Sequence, residues 1–183
     1  MKSQFNPAFS ATVGLEGAYT NNPLDPGGPT KWGITQSDAR SHGYMGDMKD
    51  IPMETAQLIY KSDYWNELGL DSCNDQSVAN KMFDGAVNCG VGTMAGWVQE
   101  ALNALGKADS LDAPLWPLLA VDYHFGPASM DALNACTAVS PHYTQVLLEV
   151  INCLQGASYV HDTEKNTKLR AFFLGWISNR ISL

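Results

Sequence analysis

The sequence is poor in positive charge: 11 Lys and Arg stand against 19 Asp and Glu, a formal net charge of -8 over 183 residues. That balance argues against a nucleic-acid binder, which needs a basic face to neutralise phosphates. It argues equally against adhesion to an anionic membrane. Long hydrophobic runs are also lacking, and no apolar stretch approaches the ~20 residues that cross a bilayer. The first residues, Met1-Lys2-Ser3-Gln4-Phe5-Asn6-Pro7, have neither the apolar centre nor the cleavage site of a secretory signal. A substrate outside the cytoplasm would then require separate delivery, or a preceding domain. Four scattered histidines, His42, His124, His142 and His161, form no His-Glu-x-x-His pair, which speaks against a zinc amidase or peptidase. Cys73, Cys89, Cys136 and Cys153 do not have zinc-ribbon spacing, and no local signature makes one of them a nucleophile. They read either as buried free thiols or as one or two disulfides formed after export. Internal repeats and low-complexity tracts are absent.

What is present is a globular composition, 45% hydrophobic and 16% charged. The length suits one domain, or a catalytic domain with a small helical module. Helical patterns dominate. Asn6-Pro7 is a helix start, Phe5, Phe9 and Val13 recur at helical spacing, and Gly17 is a natural stop. Residues 18–35 are rich in Gly, Pro, Asn and Asp and predict a turn region or small β-hairpin. Gln36–Ser41 predicts a short helix. Pro52–Tyr64 predicts another, with Ala56, Ile59, Tyr60 and Tyr64 facing inward. Asp75–Cys89 and Thr93–Leu105 come next, separated by Gly90 and Gly92. Residues 106–114 are polar and turn-like. Beyond them come short segments over Leu115–Leu119 and Ala128–Ala135, a long helix over Pro141–Tyr159, and a last helix over Asp162–Ile181 carrying Phe172, Phe173 and Trp176. The fold class is α+β, predominantly α.

Glu16 draws attention by position. At about 100° per residue it points the same way as Phe5 and Phe9, on the apolar stripe of the first helix. It would also sit at that helix's C-terminus, where carbonyl dipoles disfavour negative charge. Desolvation and dipole both raise a carboxyl pKa. A glycosidase needs such an acid, protonated near neutrality and able to protonate a leaving oxygen. The competing reading is a helix-end Glu turned to solvent or paired with a lysine. Nine residues on comes Asp25, in Asp25-Pro26-Gly27-Gly28-Pro29-Thr30-Lys31-Trp32-Gly33-Ile34-Thr35. Two carboxylates flanking a glycine-rich turn can face each other across a sugar cleft. Asp25 would activate water or stabilise developing positive charge, Thr30 would position the water, and Asp25 can at the same time start an Asx-turn.

This string, with Glu16-Gly17-Ala18-Tyr19 before it and Ile51-Pro52, Ala56, Ile59-Tyr60, Tyr64-Trp65, Phe83-Asp84, Val87-Asn88 and Gly90 after it, resembles glycoside hydrolase family one hundred and eight. The resemblance covers residues 5–105. It implies a lysozyme-like fold and an N-acetylmuramidase that cleaves the β-1,4 bond between N-acetylmuramic acid and N-acetylglucosamine, with Glu16 as the acid. The Glu…Asp…Thr order is similar to the catalytic trio of phage lysozymes, which supports Asp25 and Thr30. Ala18 departs from the family, which usually has a second Gly there, and a negative φ would tolerate it. Asn88 would bind glycan through its amide. Asp84, one turn away on the same face, would bind glycan or hold the loop around Glu16. Tyr19 and Trp32 are the aromatics best placed to line the cleft.

Val121-Asp122-Tyr123-His124-Phe125-Gly126-Pro127-Ala128-Ser129, with Ala132-Leu133, resembles the helical peptidoglycan-binding module of the same family. Tyr123 stands where that module usually has Gly. The segment either binds wall or completes the core. The expected organisation is a lysozyme-like catalytic domain over 1–105 and a helical module over 106–183 packed on it. The expected activity needs no cofactor and no metal. It would be that of a bacteriolytic endolysin or an antibacterial effector, acting on peptidoglycan glycan strands in the periplasm or cell wall. A holin or a secretion-system carrier would deliver it, and an immunity protein is a further expected partner. The alternatives are a lytic transglycosylase and a non-catalytic wall-binding module.

Overall fold

The structure, a computed structural model, describes residues 2–14, 18–21, 27–106 and 113–181. It is an assembly of helices with one two-stranded antiparallel sheet. The first helix, α1, spans Phe5–Thr12 and buries Phe5, Ala8 and Phe9. It packs chiefly on α4, Gln76–Cys89. The meeting is aromatic: Phe5 lies 5.6 Å centroid to centroid from Phe9, Trp65 and Phe83, and its contacts with the latter two are edge-on.

The hairpin pairs β1, Thr30–Lys31, with β2, Ile34–Thr35, in the register Thr30 to Thr35 and Lys31 to Ile34. Its two-residue tip is Trp32-Gly33, both at positive φ, 57° and 74°. That is the backbone of a type I′ turn, whose twist suits paired strands. Thr20 forms an isolated bridge to Thr30 and adds a third extended segment. Thr35 then caps α2, Gln36–Ser41, accepting the Asp38 N–H.

The next helix, α3, runs over Met53–Tyr60 and continues as a π-helical turn over Lys61–Asn66. The widened turn directs Trp65 fully inward, where its Nε1 donates to Asp71 Oδ1 at 2.8 Å. Asp75 caps α4 by accepting the Ser77 and Val78 N–H groups. Gly90, at φ +92°, turns the chain into α5, Val91–Leu105, which packs on α4, α6 (Pro127–Val139) and α7 (Pro141–Lys165). Ser140 caps α7 with Pro141 in its first turn. The chain closes with α8, Arg170–Arg180. One buried cluster runs from Phe5 to Ile151.

Several elements differ from the sequence expectation. α1 stops at Thr12, and Gly14 at φ +73° ends it, three residues before Gly17. The first helix is therefore shorter than expected, and Glu16 itself lies outside the described residues. Gly92 lies inside α5, so Gly90 alone separates α4 from α5. Leu115–Leu119 forms no regular element. Leu119 is instead tied in an extended path by the Asn103 amide, which accepts its N–H at 2.8 Å and donates to its carbonyl at 2.9 Å. α7 reaches Lys165, absorbing the expected start of the last helix, and breaks at Asn166, whose φ of -136° is extended. All four cysteines are free thiols.

Candidate active site

Glu16 and Asp25 lie outside the described residues. The remaining expected site residues fall in two places, on the hairpin and on α4. The hairpin side carries Tyr19, Thr30 and Trp32. Thr30 is held between Thr20, with reciprocal backbone hydrogen bonds of 2.8 and 2.9 Å, and Thr35. Its hydroxyl donates to the Gly28 carbonyl at 3.0 Å, which leaves the oxygen lone pairs as acceptors. Trp32 is fixed in a backbone conformation unfavourable for a bulky residue. Its Nε1 donates to Ile51 O at 3.1 Å, and its own carbonyl accepts the Tyr60 hydroxyl at 3.2 Å. A lysine ammonium stands near each aromatic ring, Lys31 over Trp32 and Lys49 over Tyr19, both 5.6 Å from the centroid.

The second place is α4, with Asp84 and Asn88 one turn apart. The Asn88 amide turns back along its own helix, donating to Asp84 O at 2.7 Å and to Asp84 Oδ1 at 3.2 Å. The same Oδ1 accepts Arg180 Nη1 from α8 at 2.5 Å. Arg180 Nη1 also reaches the Thr12 carbonyl at 3.4 Å, at the end of α1. Asp84 thus joins α4 to α8 beside the point where the chain leaves toward Glu16. A cavity of about 320 Å³ opens here, lined by Thr12, Lys81, Asp84, Asn179 and Arg180 among others. Burial lowers the Lys81 pKa, while its ammonium donates to Gln155 Oε1 at 2.6 Å and to the Arg180 carbonyl at 2.8 Å.

Tyr60 connects the hairpin and α4. Its hydroxyl holds the hairpin tip, and its ring meets Phe9 of α1 and Phe83 of α4 edge-on, at 5.6 and 6.3 Å. Burial pushes its phenol up to about 12, so it stays a hydrogen-bond donor at neutral pH. Tyr60 and Arg180 are the structural residues that sequence reasoning did not single out for the site. For Arg180 a signal existed: it is a cation within the aromatic last helix of a chain with only 11 basic residues. Among the described residues no group of three or more His, Cys, Asp or Glu could hold a metal ion. No helix of the described residues is long and apolar enough to cross a membrane.

Both halves of the chain resemble known families. Residues 9–90 match the model of the family glycosyl hydrolase 108. Residues 93–181 match a predicted peptidoglycan domain. No curated protein matches the chain. Among solved structures, SagA of Brucella abortus shares the fold, with a TM-score of 0.58 and 20% identity over 93% of this chain and 94% of that one. The chain is therefore similar to glycosyl hydrolase family 108 over residues 9–90 and to a predicted peptidoglycan domain over residues 93–181, a pairing that points toward peptidoglycan.

Proposed function

We propose that the protein is an N-acetylmuramidase that hydrolyses the β-1,4 bond between N-acetylmuramic acid and N-acetylglucosamine. The observation that carries this reading is the family match over residues 9–90, which contains every residue assigned to the chemistry. Glu16 is the general acid that protonates the glycosidic oxygen. Asp25 activates water or stabilises the oxocarbenium-like charge. Thr30 positions the water through its lone pairs, and no metal or organic cofactor takes part. Tyr19 and Trp32 on the hairpin, and Asn88 with Asp84 on α4, hold the glycan. The division of labour is a catalytic domain over 1–105 and a helical module over 106–183. The net charge of -8 suits an enzyme placed directly at the wall, as an effector carried by a secretion machine or an endolysin released by a holin, and not one drawn to anionic polymers.

The test is a paired digestion of purified peptidoglycan by wild type and Glu16→Gln, with products weighed by mass spectrometry. Wild type should release muropeptides with reducing N-acetylmuramic acid ends, and Glu16→Gln should release none. Products with 1,6-anhydro ends would replace hydrolysis by lytic transglycosylation. Equal behaviour of the two proteins would end the catalytic role of Glu16.

A further inference from the structure

Tyr123 keeps a glycine-like backbone. Its φ is +65°, and it shares positive φ with only Trp32 among the described non-glycine residues. A bulky L residue is disfavoured there because Cβ crowds the next carbonyl oxygen. The surroundings must impose the conformation, and Gln99 of α5 does so. Gln99 is 1% exposed, and its Nε2 reaches Asp122 Oδ1 and the His124 carbonyl, each at 2.9 Å. Its Oε1 accepts the Tyr123 N–H at 3.2 Å. Asp122 Oδ1 also accepts the His124 N–H at 3.0 Å. The chain on both sides of Tyr123 is thereby clamped to one buried amide.

The clamp presents a ring. Tyr123 is 56% exposed. Yet it rests on α5, where a Cβ built at Gly96 would come within 2.7 Å of ring carbons Cδ1 and Cε1. A Cβ at Gly92 would come within 3.5 Å of the Tyr123 carbonyl oxygen. The glycines give the ring a floor, so its orientation is set before any ligand arrives. Leu115, Leu118 and Val121 are exposed nearby in sequence. Together with Tyr123 they make four of the ten exposed large hydrophobic residues among those described, within nine positions of the chain. Burial does not explain an exposed ring at a disfavoured φ, and strain enforced by its surroundings is characteristic of ligand contacts.

We propose that Tyr123 is a glycan-stacking residue, offering its ring to the C–H face of a sugar in the N-acetylated β-1,4 glycan of peptidoglycan. The proposal rests on the peptidoglycan reading of the function and adds a subsite to it. Gly92 lies four residues past Asn88, at most about 14 Å of chain, and meets the Tyr123 carbonyl just past the α4–α5 corner. The ring's aromatic face supplies the contact, and its pre-set geometry spares the ordering cost that a free side chain would incur on binding.

The experiment uses the full chain carrying Glu16→Gln, with binding to purified insoluble peptidoglycan measured by depletion. Tyr123→Gly removes the ring while suiting the backbone, so the melting temperature should hold and Kd should rise roughly tenfold. Unchanged binding overturns the proposal. If Tyr123→Gly loses stability, Tyr123→Phe and Tyr123→Leu decide: Phe binding like the parent with Leu weakened supports stacking, and equal binding by both overturns it. A parent that fails to bind peptidoglycan sinks the peptidoglycan reading itself, whereas a parent that binds beside an equally tight Tyr123→Gly overturns only the subsite.

Discussion

Arg180 at the end of the last helix places its guanidinium 2.5 Å from the Asp84 carboxylate, across 96 residues of sequence, and with the same nitrogen reaches the carbonyl of Thr12. The two side chains are largely shielded, 29% and 16% exposed. Three helices thus meet at one ion pair beside the end of α1. Arg180→Ala would leave a partly buried carboxylate without its cation. The expected cost is about 1–3 kcal/mol in urea denaturation. Asp84→Ala combined with Arg180→Ala should cost less than the sum of the single changes, with a coupling of at least about 0.5 kcal/mol. Strict additivity would mean that the pair contributes nothing specific.

Gly33 has no room for a side chain. It sits at φ +74° in the hairpin tip, and a Cβ there would fall on the Tyr60 hydroxyl. Gly33→Ala should therefore destabilise by roughly 2–4 kcal/mol, combining left-handed strain with overpacking. Adding Tyr60→Phe removes the colliding oxygen and should restore part of the loss, because the strain remains while the clash does not. Thermal unfolding of the three variants distinguishes the two contributions.

Legibility of the fold in sequence depends on which signals are local. Gln36–Ser41 was readable because Thr35 and Asp38 form a side-chain cap, and α4 because Asp75 does the same. The end of α1 was not, since Gly14 and Gly17 are equally able to stop a helix and only packing chooses. The path of Leu115–Leu119 depends on Asn103, which no local pattern couples to it. For the site, Thr30, Trp32 and Tyr19 do share the hairpin side, and Asp84 and Asn88 do share a face of α4. The partners that fix them, Tyr60 and Arg180, come from distant parts of the chain. Tyr123 was legible as a departure from a motif, but its left-handed backbone and its hold on Gln99 exist only in three dimensions.

His42 should carry a pH-dependent part of the stability. Its Nδ1 faces the Asp38 carbonyl at 2.9 Å and its Nε2 the Asp63 carboxylate at 2.9 Å. Only the imidazolium can donate to both, so these bonds, the Asp38 carbonyl first and Asp63 next, raise the pKa above 6.5. A raised folded-state pKa means the contribution is fully present below 6.5 and fades as pH rises through the folded value. An NMR titration of the His42 ring should show that raised value, and Asp63→Asn should bring it down. A midpoint below 6.5 in the wild type would contradict the arrangement.

The four free thiols should differ in reactivity. Cys153 is exposed, Cys73 and Cys136 are buried, and Cys89 is intermediate. Burial raises the pKa of Cys73 and Cys89 and pushes Cys136 up to about 11. The thiolate is the reactive form, so burial suppresses both access and nucleophile. A chromogenic thiol reagent at mildly alkaline pH should label Cys153 promptly in the native protein and Cys136 only after denaturation. Mass mapping of the first modified peptide checks the order, and early labelling of Cys136 would mean that α6 and α7 part more readily than their packing implies.

Gln99 offers a test of the clamp that is independent of any ligand. Its amide bonds at both ends to the Asp122–His124 loop, and its Nε2 also lies 3.2 Å from Ser129 Oγ. Gln99→Leu keeps much of the volume but strands the Tyr123 N–H, leaves the His124 carbonyl with the Gly126 N–H, and removes the amide's bonds to Asp122 and Ser129. The four lost bonds and the unmet Tyr123 N–H should cost about 2–4 kcal/mol. The Asp122 carboxyl is held below its ordinary value by the Gln99 amide first and the His124 N–H second. A depressed folded-state pKa gives a contribution present above 3.8 and lost as pH falls through the folded value. In Gln99→Leu the Asp122 pKa should therefore move up toward 3.8, which a side-chain NMR titration reads directly. A stable Gln99→Leu protein with an unmoved Asp122 would show that the loop holds its shape, and Tyr123 its left-handed turn, without the buried amide.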